Sequence, residues 1–125
     1  MKTATPRLDP FVSYLLELLA PLGPIAARPM FGGVGLYYEA TMFGLISGDA
    51  LFLKVGESNL KDYEMAGQAP FSYETKNGVN TIRSYWSCPP ELLDDPDAFR
   101  TWARKAIDAA IAAARTKQRS RRKRL

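Results

Sequence analysis

Two Asp-Pro steps, Asp9-Pro10 and Asp95-Pro96, bracket a middle section patterned for strands, and this constrains the fold more than any other feature of the chain. In each step the aspartate can accept from free backbone N–H groups, and the proline is pre-set for the first helical position. After the first step Phe11, Tyr14, Leu15, Leu18 and Leu19 recur at helical spacing until Pro21, Gly23 and Pro24 end the run. After the second, Phe99, Trp102, Ala103, Ala106, Ile107, Ala110 and Ile111 predict one apolar face on a long helix.

From about Ile25 to Val55, aromatic and β-branched residues dominate, punctuated at Gly32-Gly33, Glu39-Ala40 and Gly48-Asp49. The spacing predicts three strands: Pro29–Glu39 with a kink at the glycines, Thr41–Ser47 and Ala50–Val55. Ser58 is the expected cap of a short helix over Asn59–Ala66, with Gly67 as its stop. Two more strands, Phe71–Lys76 and Val79–Trp86, flank Asn77-Gly78, a strong hairpin signal, before Cys88-Pro89-Pro90 breaks the sheet. Short links imply antiparallel neighbours. The predicted order is α-β-β-β-α-β-β-α, an α+β domain of two layers with helices packed on a five-stranded antiparallel sheet.

The sequence holds no histidine, which removes His-based nucleophilic triads, histidine metal ligands and the commonest general base. Cys88 is the single cysteine, too few for an internal disulfide or a thiolate zinc site, and it reads as a structural residue in a reducing compartment. Asp94, Asp95 and Asp97 cluster where the last helix begins and complement its dipole; Glu57, Asp62 and Glu64 read as a solvated face. No catalytic residue, cofactor or metal is expected. The N-terminus lacks the apolar core of a secretory signal, and no apolar run approaches the ~20 residues of a membrane span. The expectation is a cytoplasmic protein without a membrane role.

The glycines of R-P-M-F-G-G-V-G, Arg28 to Gly35, suggest a phosphate cradle, but position 38 is Tyr38 where a dinucleotide fingerprint needs glycine. The Gly-Lys-Ser/Thr of a P-loop is absent as well. Both motifs lead into a helix, whereas L-Y-Y-E is extended, so a strand kink or bulge is the expected role. Tyr37, Tyr38, Phe43, Phe52, Phe71, Tyr73, Tyr85 and Trp86 raise a base-stacking sheet as an alternative. The strand order is wrong for an RRM, and no basic residue interleaves with the aromatics of the first strands before Lys54.

Charge is segregated. Arg115, Lys117, Arg119, Arg121, Arg122, Lys123 and Arg124 lie in an acid-free final stretch, so the rest of a chain of net charge +4 has a balance of −3. The expected division is a folded domain over 1–114 and a basic tail over 115–125. Two readings of the tail stand side by side: a solvated, partly disordered end, or an arm that contacts nucleic-acid phosphates without reading bases.

Taken together, M-F-G-G-V-G-L-Y-Y, then T-M-F-G-L-I-S-G-D-A-L-F-L-K-V, then Y-W-S-C-P-P-E-L-L resemble the N-terminal domain of the TfoX/Sxy family, bacterial regulators of natural competence. The likeness runs from about Leu8 to Ala114. It implies a secretion-chaperone-like α+β fold, no catalytic residues, and a regulatory role in transcription of competence genes alongside the cyclic-AMP receptor protein. Full-length members add a C-terminal helical domain; the expectation here is the first domain standing alone with a basic tail. The leading functional expectation is a non-enzymatic regulatory or adaptor domain. Its expected partner is a protein of the transcription machinery or a regulator, and the tail adds nucleic-acid contact. The competing expectation is a self-associating, homodimeric interaction module with no nucleic-acid role.

Overall fold

A computed structural model describes residues 9–30 and 32–124, with side chains through Arg119. Helix α1 spans Pro10–Leu19 and starts as the sequence requires, with the Phe11 N–H donating to Asp9 Oδ1 at 2.7 Å. Its buried stripe is Val12, Leu15, Leu18 and Leu19. Tyr14, expected in that stripe, is instead 40% exposed, and its hydroxyl donates to the Leu93 carbonyl at 2.6 Å. A 3₁₀ turn over Ala20–Leu22 then leads into the sheet.

The sheet has six strands: β1 Ile25–Met30, β2 Gly33–Tyr38, β3 Thr41–Ser47, β4 Ala50–Lys54, β5 Pro70–Thr75 and β6 Gly78–Ser87. Their spatial order is β1-β2-β3-β4-β6-β5, with every pair antiparallel. This corrects the expected five strands. The segment expected as one kinked strand over Pro29–Glu39 is the end of β1, a reverse turn and β2, with Met30 opposite Gly33. Gly32 supplies the turn at φ +79, a conformation glycine adopts without a Cβ penalty. β1 was hidden by Pro24 and Pro29, yet a proline is tolerated on an edge strand, and β1 is an edge.

The hairpin expected at Gly48-Asp49 forms there, with Ser47 opposite Ala50 and Gly48 at φ +63. In the last hairpin Thr75 pairs with Gly78, so the connecting residues are Lys76 and Asn77, one position earlier than expected. Phe43 is an extra residue in β3, since Leu36 pairs with Gly44 but Tyr37 pairs with Met42; this bulge turns Phe43 fully into the core.

Between β4 and β5 lies helix α2, Leu60–Met65. Its N-cap is Asn59 rather than the expected Ser58, and the Asn59 side chain makes no capping bond. It is 1% exposed, accepts from the Gly56 N–H at 2.7 Å and donates to the Lys54 carbonyl at 3.1 Å, pinning the loop after β4. Helix α3, Pro96–Arg124, buries Phe99, Ala103, Ala106, Ile107 and Ala110. It lies across β3 and β4 and against α1, with Arg100 Nε donating to the Leu18 carbonyl at 2.6 Å. Helices α1 and α3 cover one face of the sheet, and the core of Leu15, Leu19, Leu36, Phe43, Leu53 and Phe99 lies between the layers. The other face carries no helix among the described residues.

Candidate functional site

Two surfaces carry the unusual chemistry. The first is the helix-free face of the sheet. Alternation sends Leu36, Leu51 and Leu53 into the core, so Arg28 and Met30, Gly33 and Gly35, Met42 and Leu45, and Phe52 and Lys54 point the other way. Gly35 leaves room for two thioethers: a Cβ there would lie 2.9 Å from Met30 Sδ and 3.1 Å from Met42 Sδ. The β5–β6 hairpin curls toward the same side. Its register jumps so that Pro70 faces Trp86 while Phe71 faces Ile82, leaving Arg83 to Tyr85 as extra residues in β6. Phe71, Tyr73 and Ile82 thereby wall an apolar groove of about 580 Å³ with Met30, Met42 and Tyr85.

The aromatics of this face are engaged with one another and with cations. Phe52 and Phe71 meet edge to face at 4.9 Å, and Tyr73 stacks on Phe71 at 5.9 Å. Arg28 sits over the Tyr37 ring and Lys54 over the Tyr85 ring, each 5.1 Å from the centroid. The Tyr85 hydroxyl donates to the Met42 carbonyl at 3.2 Å; burial, with Tyr37 nearby, pushes its pKa up to about 12. Lys54 is lowered from the ordinary lysine value, first by burial and second by repulsion from Lys117. Among the described residues, the outward positions of β1 to β4 thus carry two charges, both positive, and no carboxylate.

The second surface is the end of α3. Core packing stops at Ile111, and the helix continues to Arg124 without a break. At 1.5 Å per residue the last 13 residues extend about 20 Å. Arg115, Lys117 and Arg119, expected as polyanion-contacting residues, are exposed on this helix. Arg121, Arg122, Lys123 and Arg124 continue its backbone, and their side chains lie outside the described residues. One of the two readings of this stretch was a partly disordered end; its backbone is helix through Arg124.

Other candidates are structural. Cys88 is buried, and burial, with Glu91 second, pushes its pKa up to about 12, so the thiolate that nucleophilic or metal chemistry requires is suppressed. Asp95 Oδ1 accepts from the Ala98 N–H at 3.3 Å, the capping role expected of it, and Asp62 pairs with Lys105 at 3.1 Å. Among the described residues no group of three His, Cys, Asp or Glu residues could hold a metal ion, and no helix is long and apolar enough to cross a membrane.

Arg28 and Met30 escaped the sequence reading because β1 did; Met42 lies on the expected β3, but the bulge at Phe43 sets its face. Had Ile25–Met30 been taken as a strand, period-two alternation alone would have placed Arg28 and Met30 on one face.

A family model, the TfoX N-terminal domain, matches residues 17–110, which include the whole six-stranded sheet and α3 as far as Ala110. A curated protein, DNA transformation protein TfoX1 of Aliivibrio fischeri (strain ATCC 700601 / ES114), is 33% identical over 64 residues. That match covers 51% of this chain and 31% of that protein, so it spans less than a third of the relative's length.

Proposed function

The chain belongs to the TfoX N-terminal domain family, and from that membership we propose that it is a non-enzymatic regulatory or adaptor domain. In this reading it docks a protein of the transcription apparatus, while the cationic end of α3 holds a nucleic acid by its phosphates. The relative's name ties that protein to DNA transformation, and control of transformation genes is the setting proposed here.

The observation that carries the reading is the cationic helix that outruns its own core. A helix end with seven Lys or Arg and no acid adds nothing to the hydrophobic core after Ile111 among the described residues. Like charges at i and i+4, Arg115 with Arg119 and Lys117 with Arg121, repel by a few tenths of a kcal/mol each. Cations near a helix C-terminus offset part of this through the dipole. A polyanion would remove the repulsion and release counterions, and so would bind and stiffen the same segment.

The test is electrophoretic retardation of duplex DNA and of single-stranded RNA. It compares the intact chain, a version ending at Ala114, and a full-length version with the seven basic residues changed to Gln. The intact chain should retard at low salt and the two altered versions should not. The logarithm of affinity should fall against log salt with a slope of about −0.9 per phosphate contact on duplex DNA. Helical circular dichroism of the intact chain should rise on binding. Equal retardation by all three versions would sink the role of the arm.

A further inference from the structure

The helix-free face raises a question that the arm does not answer. An open apolar groove of about 580 Å³ lies within the usual range of ligand sites, yet its walls carry no polar constellation suited to a small substrate. Its flexible lining points to adaptable apolar contact, since methionine repacks against varied surfaces. Two cations, Arg28 and Lys54, stand on the same sheet face, each held against a tyrosine ring. No carboxylate accompanies them on the outward positions of β1 to β4 among the described residues. Lys54 is half-buried, so it pairs with an anion more strongly than a cation free in water, while Arg28 is exposed over its ring and open to one.

Three occupants compete for such a face. A second copy meeting it symmetrically would bring Arg28 and Lys54 of both molecules to one interface, since a two-fold contact uses the same patch twice. Like charges there work against association. A single-stranded nucleic acid needs open ring faces for its bases, but Phe52, Phe71 and Tyr73 pack on each other and Tyr85 is buried. A segment with apolar side chains for the groove and carboxylates for the two cations meets both requirements at once.

We propose that this groove is the docking site for an acidic amphipathic segment of a partner protein, with its apolar residues between Met30, Met42, Phe71 and Ile82 and its Asp or Glu residues on Arg28 and Lys54. The inference rests on the adaptor reading above and adds to it the chemistry of the partner. Protein partners bind grooves of this kind through regularly spaced apolar anchors, and charge sets which of them enter.

The experiment is fluorescence polarisation with a labelled synthetic peptide that has Leu and Phe at helical spacing and Glu between them. A matched peptide with Lys in place of Glu is the control. Because the arm is itself basic, the measurement is made on the full chain and on the full chain with its seven arm bases changed to Gln. The acidic peptide should bind both, and the lysine peptide neither. Arg28→Glu with Lys54→Glu should weaken the acidic peptide about tenfold or more and admit the lysine peptide. Ile82→Glu, at a position 37% exposed on the hairpin, should weaken the acidic peptide without unfolding the protein, as circular dichroism would verify. Binding that vanishes when the arm is neutralised, or that ignores both sets of substitutions, overturns the proposal. So does self-association by light scattering that Ile82→Glu abolishes, because the occupant is then a second copy. Arg28→Glu alone, on edge strand β1 and three strands from Lys54 with its neighbour Lys117, leaves the arm intact, so DNA retardation by that single variant separates failure of the groove from failure of the arm.

Discussion

Gly33 shows how much a single missing methyl group controls here. A Cβ at this position would lie 2.5 Å from the Ile46 carbonyl oxygen, a backbone atom of β3 that cannot swing away. Gly33→Ala is expected to lower stability by about 1–3 kcal/mol, in the range of core overpacking, and thermal denaturation will show it. An unchanged melting temperature would contradict the close approach of β3 to Gly33. The sequence already indicated that this glycine block serves the fold, because no helix followed to receive a phosphate. It could not divide the labour between Gly32, which makes the turn, and Gly33, which admits a neighbouring strand, because that neighbour is 13 residues further on. Asn59 was illegible for a different reason: its partners, the Gly56 N–H and the Lys54 carbonyl, are close in sequence but come together only once β4 ends where it does.

At the level of elements, periodicity read the two long helices well and the sheet incompletely. The apolar spacing after Asp95-Pro96 is carried by core contacts, so α3 was evident through Ile111. Beyond it every residue to Arg124 is polar or alanine, leaving no period to read; the helix persists because an existing turn propagates more easily than a new one nucleates. β1 was lost to its prolines. The β5–β6 hairpin was found, but not its curl over the groove, which follows from the register jump at Arg83 to Tyr85. From Ser72 to Arg83 every residue of the hairpin is exposed, and β5 is the outer edge of the sheet. Amides of Ser72 to Asn80 are therefore expected to exchange with solvent far faster than those of Leu36, Leu45 and Leu53, as native-state hydrogen exchange will show. Comparable protection would mean that the hairpin is clamped by contacts other than those described.

On the scale of the whole molecule, the buried thiol and phenols make alkaline stability the informative measurement. Cys88 is raised from its ordinary 9.0 to about 12 and Tyr85 from 10.0 to about 12, and burial raises Tyr63 as well. Each group is favoured neutral in the folded state, so its contribution is complete below the unfolded-state pKa and is lost as pH climbs toward the folded-state value. Stability should hold to about pH 9 and then fall, by up to about 1.4 kcal/mol per pH unit for each group that titrates. Lys54 has the opposite sign, since its lowered pKa makes the folded state easier to keep once that amine is neutral. Urea denaturation at stepped pH checks this, and Cys88→Ala should move the onset upward, toward the region where the tyrosines begin. A midpoint that stays flat through pH 11 would show that the thiol and phenols are more accessible than they stand here.

The uninterrupted run of α3 from under the sheet to Arg124 also fixes a bearing. A helix turns about 100° with each residue, so anything attached beyond Arg124 inherits an azimuth about the helix axis as well as a distance from the sheet. One residue inserted after Ile111 would swing that attachment by more than a quarter turn, while four would bring it almost back into phase. The segment that carries the positive charge therefore also works as an indexed shaft, whose angular setting is decided by the packing of Phe99, Ala103 and Ala106 far behind it.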